Sequence, residues 1–262
     1  MDDKEIKKQL VEAKKYRNNG YFAEALAILH QINNEFPKNI TYHYLLAATY
    51  YESMNIEAGK RYAEEVMVLD PNFKENYELL GDIYEKEGKI EDAKDYYEKA
   101  YQLDSKYTTV EEKLIQIYLK TKNYEGVVHI CDNMMSYIPI DTSSTKSRRL
   151  TSIYFGCVLY KGWALVYLKR YEEAIQEILR RKELNYQTKM PSFPHQYKDD
   201  DEALFKMYYQ LKNVQKTEEY RKALKMEYNL MDDEILKLEE EAQKDIILFR
   251  QRPEVMGYLG LS

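Results

Sequence analysis

The feature that most constrains this chain is an aromatic column that recurs every 34 residues. The column consists of Tyr16, Tyr50, Tyr84 and Tyr118, and the residues around each tyrosine repeat with it through residues 6–141. Four tandem units in one register are not expected by chance. Self-similarity at this period predicts a chain of helix pairs, in which each pair buries its apolar face only by stacking on its neighbours.

The clearest unit, residues 74–107, combines small and aromatic residues in a fixed order. Its positions are Tyr77, Leu80, Gly81, Tyr84, Gly88, Ala93, Tyr97 and Ala100. Small residues let two antiparallel helices approach closely, and the aromatic residues fill the space between them. In this order the unit resembles a tetratricopeptide repeat. The resemblance implies an all-α fold: a right-handed α-solenoid of helix-turn-helix repeats with a C-terminal capping helix.

We expect one continuous domain over residues 1–262, because each repeat of a solenoid contacts only its neighbours. The 34-residue register is interrupted after Pro139 and resumes with an offset of 13 extra residues. Few helix breakers occur between Thr145 and Arg170, so the first helix of the fifth repeat should be long. The proline-containing stretch 185–199 predicts an interruption. The predicted repeats cover residues 6–39, 40–73, 74–107, 108–141 and 155–188, followed by a degenerate sixth at 197–230 and a capping helix and tail at 231–262.

Charge and composition narrow the choice of partner. The net charge of −6 argues against binding to a phosphate backbone, which requires clustered Lys and Arg. No apolar run approaches the roughly 20 residues that span a bilayer, and the charged start Met1–Glu5 does not read as a secretory signal, so we expect a cytoplasmic protein. Cys131 and Cys157 lie in apolar contexts and are interpreted as reduced core thiols.

The sequence contains no recognisable catalytic constellation. The four histidines, His30, His43, His129 and His195, fall in different repeats without metal-ligand spacing and are interpreted as surface residues. Phosphate-binding glycine loops and hydrolase motifs are also absent. We therefore expect neither an enzyme nor a cofactor.

The resemblance instead implies a groove lined by the first helices of successive repeats. Proteins of this family present the second, fifth, ninth and twelfth positions of each unit to a ligand. The candidate groove residues selected on that basis are Lys7, Lys14, Arg17, Tyr44, Tyr51, Glu75, Glu78, Asp82, Glu85, Glu112, Trp163, Phe205 and Tyr208.

Two parts of this predicted groove differ in character. The third repeat places four carboxylates on one helix face, which leads to the hypothesis that they receive Lys or Arg side chains of a partner. An ordinary solvated helix face is the alternative. The fifth and sixth repeats place apolar residues such as Trp163 in the groove, covered either by the C-terminal helix and tail or by a partner, with self-coverage favoured.

These features favour a non-enzymatic scaffold that binds a segment of another protein or a peptide. A peptide-sensing regulator and a specialised chaperone for a secreted or assembling protein are the alternatives. Clamping of a chaperone's C-terminal carboxylate is disfavoured, because Leu45, Glu75 and Leu79 stand where that specialisation has Asn, Lys and Arg. The sequence identifies neither the partner nor the oligomeric state.

Overall fold

The computed structural model describes residues 3–141, 143–188 and 194–244 of the 262-residue chain. Thirteen α-helices account for most of these residues, and the chain divides into two compact units, Met1–Leu114 and Ile115–Ser262. The helices of unit 1 are α1 (Asp3–Asn18), α2 (Phe22–Glu35), α3 (Ile40–Glu52), α4 (Ile56–Leu69), α5 (Lys74–Lys86), α6 (Ile90–Leu103) and the first half of α7 (Thr108–Lys120).

Unit 2 contains the remainder of α7 and six further helices. These are α8 (Tyr124–Tyr137), α9 (Thr145–Tyr167), α10 (Tyr171–Thr188), α11 (Pro194–Gln210), α12 (Val214–Tyr228) and α13 (Asp232–Gln243). None of the helices within the described ranges is long and apolar enough to cross a membrane.

A left-handed residue marks the turn between the two helices of each pair. The residues with positive φ at these turns are Gly20, Met54, Gly88, Lys122, Lys169 and Lys212. In the second pair, the amide of Asn55 donates to the carbonyl of Tyr50 at 2.9 Å, and the Asn55 side chain then caps α4 by accepting from the amide of Ala58. This turn therefore combines a C-terminal stop with an N-terminal cap, and the first four turns keep the 34-residue step of the sequence.

The core of unit 1 lies between successive helix pairs. Ala47, Ala63, Leu79, Leu80 and Ile83 form one buried cluster that joins α3 and α4 to α5. A second cluster joins the first pair to α3. Stacking of one pair on the next thus buries the apolar faces, as the repeat period predicts.

The core of unit 2 includes a contact between α11 and the last described helix. Phe205 is fully buried on α11 and packs with Leu224 of α12 and with Ile235 and Leu238 of α13. The side of α13 that faces away carries the exposed polar residues Asp233, Lys237 and Glu240, together with Leu236, which is 55% exposed. A terminal helix with one apolar and one polar face is what the predicted capping helix requires, and its residues beyond 244 lie outside the described part.

The observed helices confirm the all-α fold of paired helices and correct one detail. Helix α9 has 23 residues, against 13 in α3, α5 and α7, as expected from its scarcity of helix breakers. The interruption predicted at 185–199 is too long, since α10 continues to Thr188 and α11 already begins at Pro194. Proline is tolerated in the first helical position because its missing N–H has no intrahelical acceptor there. The single continuous domain stays a prediction.

Candidate functional site

The acidic stripe predicted on the third repeat lies on one side of α5. Glu75, Glu78, Asp82 and Glu85 are all half-buried, with 19% of the Glu78 side chain and 22% of the Asp82 side chain exposed. The intervening residues Leu79, Leu80 and Ile83 are buried in the core of unit 1. Helical spacing therefore separates a buried apolar face of α5 from a carboxylate face that reaches solvent.

Neighbouring helices supply hydrogen-bond donors to this carboxylate face. The phenol of Tyr97, on α6, donates to Asp82 at 2.7 Å and to Glu85 at 3.1 Å. The phenol of Tyr107 donates to Glu78. Tyr97, an aromatic position of the repeat pattern, and Tyr107, just before α7, thus both direct their hydroxyl groups at the candidate site.

A cation from α7 also enters the carboxylate face. The ammonium of Lys113 contacts Asp82 and lies 3.5 Å from Glu78. It also lies 5.5 Å from the centre of the Tyr97 ring, within the range of a cation–π interaction. Part of the charge compensation that the sequence analysis assigned to a partner is therefore supplied by the chain itself.

The first helices of the first two repeats complete the cluster. Burial, followed by the negative charges of Glu78 and Glu75, raises the pKa of Tyr44 to about 12, while Arg17 acts to lower it. For Tyr51 the pKa is also raised, by burial first and then by charges that include Asp82 and Glu85. Tyr44 and Tyr51 of α3 pack against the core cluster that contains Leu79, Leu80 and Ile83 of α5. The Arg17 guanidinium of α1 is paired with Glu52 of α3 at 3.1 Å.

We call this cluster the first-helix face of unit 1. It is formed by Arg17, Tyr44, Tyr51, Glu75, Glu78, Asp82, Glu85 and Lys113. With Glu52 included, five carboxylates face two cations, so the surface has a formal excess of three negative charges. Burial and the adjacent carboxylates Asp82 and Glu85 raise the pKa of Tyr97, and burial with the hydrogen bond to Glu78 raises that of Tyr107. Both phenols therefore remain protonated donors at neutral pH.

The other predicted groove residues lie outside the first-helix face of unit 1. Lys7 and Lys14 are exposed on α1, and Glu112 is half-buried beside Lys113 on α7. In unit 2, Trp163 is half-buried and packs edge-to-face on Tyr160, with ring centroids 6.5 Å apart. Tyr208 is half-buried and stacks on Tyr220 at 5.6 Å.

Phe205 is the one candidate that the structure removes from the surface. Its side chain has no exposed area, because α12 and α13 pack over it. The C-terminal helix α13 thus covers one apolar residue of the predicted groove, Phe205 on α11. The self-coverage that the sequence favoured concerned Trp163, and that coverage stays a prediction.

Unit 2 contains buried ion pairs that the sequence analysis did not anticipate. Arg181 of α10 pairs with Asp200 of α11, with side chains only 5% and 2% exposed. The next residue on each helix repeats the arrangement, since Lys182 pairs with Asp201. The phenol of Tyr228 also donates to Asp201, at 3.0 Å. Charges of this kind are paired within the fold and act as structural links between helices.

Among the described residues considered for catalysis or metal binding, both cysteines and one histidine are buried in the fold. Both cysteines, Cys131 and Cys157, are buried and free, and burial raises the pKa of the Cys131 thiol. The interpretation of the histidines as surface residues is wrong for His43, which is 5% exposed and pairs with Glu65 at 3.2 Å. Among the residues with described positions, no group of His, Cys, Asp and Glu side chains is arranged to hold a metal ion.

Comparison with models of protein families identifies the family to which this chain belongs. The family model described as the tetratricopeptide repeat protein 21 C-terminal ARM domain matches residues 9–143. The chain belongs to this tetratricopeptide repeat family. The match covers just over half of the chain and includes every residue of the first-helix face of unit 1. Comparison with curated proteins gave no match for this repeat protein.

Solved structures similar to this tetratricopeptide repeat protein share its fold at low sequence identity. MamA is 17% identical with a TM-score of 0.54, over 72% of this chain and 98% of MamA. PilF of Pseudomonas aeruginosa is 16% identical with a TM-score of 0.51, over 93% of this chain and 98% of PilF. YrrB, described as a repeat protein with an unusual peptide-binding site, is 15% identical with a TM-score of 0.54, over 82% of this chain and 97% of YrrB. At these identities the likeness shows the fold alone.

Proposed function

We propose that this tetratricopeptide repeat protein is a non-enzymatic scaffold that holds a segment of a partner protein on the first-helix face of unit 1. One observation carries the proposal: half-buried tyrosines of α3 and the carboxylates of α5, with Arg17 of α1 beside them, form one surface with net negative charge. Tyrosine offers contact area with few rotatable bonds, and carboxylates orient a polar or basic segment. The cytoplasm remains the predicted location.

The chemistry of the face fits binding better than catalysis. Tyr97 and Tyr107 have raised pKa values and act as hydrogen-bond donors to carboxylates, so neither is prepared as a nucleophile or base. A peptide-binding site has been described for YrrB, which has the same fold. Function in this fold resides in the lining of a surface, so the lining of this chain is what an experiment must change.

The test is a quantitative affinity enrichment from the native cell, with the wild-type protein and a double charge reversal, Glu78→Lys with Asp82→Lys, as baits. We expect the wild type to enrich a partner that the reversed variant loses, because the face then repels a basic segment. The neutral pair Glu78→Gln with Asp82→Asn should give an intermediate loss. Thermal unfolding checks that each variant is folded.

A matched control reverses two carboxylates elsewhere in unit 1. Glu57 and Glu64 are exposed on α4, and reversal of both changes the net charge by the same amount. This control should retain the partner. Equal enrichment by the wild type and by the variant reversed at Glu78 and Asp82 would contradict the proposed function.

A further inference from the structure

The position of Lys113 indicates what the first-helix face of unit 1 binds. Its ammonium is held by two carboxylates, Asp82 and Glu78, and by the face of the Tyr97 ring. Carboxylates and an aromatic face are the two kinds of group that hold an alkylammonium ion in proteins. The side chain belongs to α7, whereas both carboxylates belong to α5, so a neighbouring repeat supplies the cation.

With the Lys113 ammonium in contact with Asp82 and Glu78, this surface still carries a net negative charge. Glu75 and Glu78 still raise the pKa of Tyr44 beyond the effect of burial, although Lys113 lies against Glu78. The remaining cation of the face, Arg17, is engaged by Glu52. A second positive charge brought by a partner would therefore be attracted to the face even before Lys113 moves.

The Lys113 contacts are also weak enough to exchange. The Lys113 side chain is 29% exposed, and those of Glu78 and Asp82 are 19% and 22% exposed. Ion pairs that keep contact with water contribute little to stability, and a lysine side chain has many alternative rotamers in solvent. Lys113 can therefore leave the carboxylates without unfolding α7.

We propose that the first-helix face of unit 1 binds a lysine-bearing segment of its partner, and that Lys113 is an internal competitor whose ammonium occupies the lysine site until that segment arrives. This inference rests on the proposed function and specifies its ligand chemistry. Tyr44 and Tyr51 contact the aliphatic part of the incoming side chain, while Glu78 and Asp82 receive its ammonium. The partner is selected by charge, and Lys113 sets the affinity threshold.

The experiment measures binding of a fluorescein-labelled peptide of four Lys-Gly repeats by fluorescence anisotropy at low ionic strength. Replacing Lys113 by glutamine removes the competitor and should tighten binding by about fivefold or more. The neutral pair Glu78→Gln with Asp82→Asn should weaken binding by about tenfold or more. Added salt should weaken binding to the wild type.

Two controls separate this site from the general negative charge of the protein. Lys99 is exposed on α6, and Lys99→Gln changes the net charge as Lys113→Gln does. Glu57→Gln with Glu64→Gln matches the carboxylate pair. Both controls should leave the affinity within about twofold of the wild type, because screened charges at a distance contribute weakly. A thermal unfolding curve confirms that each variant is folded.

The outcomes distinguish this inference from the proposed function. If Lys113→Gln binds the peptide no better than Lys99→Gln, the competitor role is overturned, while partner loss on reversal of Glu78 and Asp82 leaves the proposed function intact. If a peptide of Arg-Gly repeats binds as tightly as the lysine peptide, the assignment of the site to an ammonium is overturned. Tighter lysine-peptide binding by Lys113→Gln alone supports it.

Discussion

Tyr97 shows how one residue serves both the packing of a helix pair and the chemistry of the candidate site. Its ring is fully buried against Gly81 of α5, and its hydroxyl group reaches Asp82 and Glu85. A Cβ atom at Gly81 would lie 2.3 Å from the ring, closer than packed atoms allow. Glycine at position 81 is therefore required by the ring of Tyr97, and the ring positions the phenol at the carboxylates.

Substitution of Gly81 by alanine should destabilise the protein by about 1–3 kcal/mol, because the added methyl group overpacks against the Tyr97 ring. Urea unfolding followed by far-UV circular dichroism measures the change. The matched control is Gly162→Ala in α9, where a Cβ would meet only the Cβ of Glu177 at 3.8 Å. That substitution should stabilise by about 0.5–1 kcal/mol, since alanine favours a helix interior. Equal effects at both positions would contradict this account of Gly81.

At the residue scale, the sequence predicted which residues of α5 share a face, but it did not predict which residues of other helices contact them. The spacing of three and four residues between Glu75, Glu78, Asp82 and Glu85 places them on one helix face. Lys113 falls outside the groove positions of its own repeat, so no rule applied to a single repeat selects it. Its role depends on where α7 lies next to α5, which is a property of tertiary packing.

At the level of elements, the helices of unit 2 also separate what local sequence predicts from what depends on tertiary packing. The length of α9 follows from the scarcity of helix breakers between Thr145 and Tyr167, where only Gly156 and Gly162 occur, and this is local information. The apolar stripe of α13 is also readable from sequence, but its packing against Phe205 of α11 is not. Amphipathicity identifies a face that must be covered and leaves the covering partner open.

The buried pair between α10 and α11 gives a prediction at this scale. Removal of one member, as in Arg181→Met, should destabilise by about 3–5 kcal/mol, because Asp200 is then a buried charge without its partner cation. The double variant Arg181→Met with Asp200→Leu should recover much of that loss, since two apolar side chains of similar size replace the pair. Urea unfolding of the two single variants and the double variant forms the cycle.

Additive effects in that cycle would contradict the assignment of Arg181 and Asp200 as mutual partners. A surface pair provides the comparison. Lys216 and Glu219 on α12 are 42% and 57% exposed, and neutralising either should leave the stability nearly unchanged.

For the molecule as a whole, the fold and the family explain the core residues. The residues on the surface of the first helices are the part that they do not explain. Within unit 1, the cores are built from residues that any repeat of this kind needs, such as Leu80 and Ala93. The carboxylates of the first-helix face of unit 1 are not part of these cores, whereas Tyr44 and Tyr51 pack against the cluster that joins α3 to α5 and remain partly exposed. The placement of tyrosines from α3 and carboxylates from α5 on one surface is therefore the feature of this chain that most directly indicates a partner.

The most direct test is site-specific photocrosslinking in the native cell with a benzophenone amino acid at position 44. Tyr44 is half-buried within the first-helix face of unit 1, whereas Tyr21, the control position, is 56% exposed at the turn before α2. The account predicts a covalent adduct between the protein and a partner from position 44, identified by mass spectrometry, and none with that partner from position 21. An adduct with the partner from position 21 and none from position 44 would contradict it.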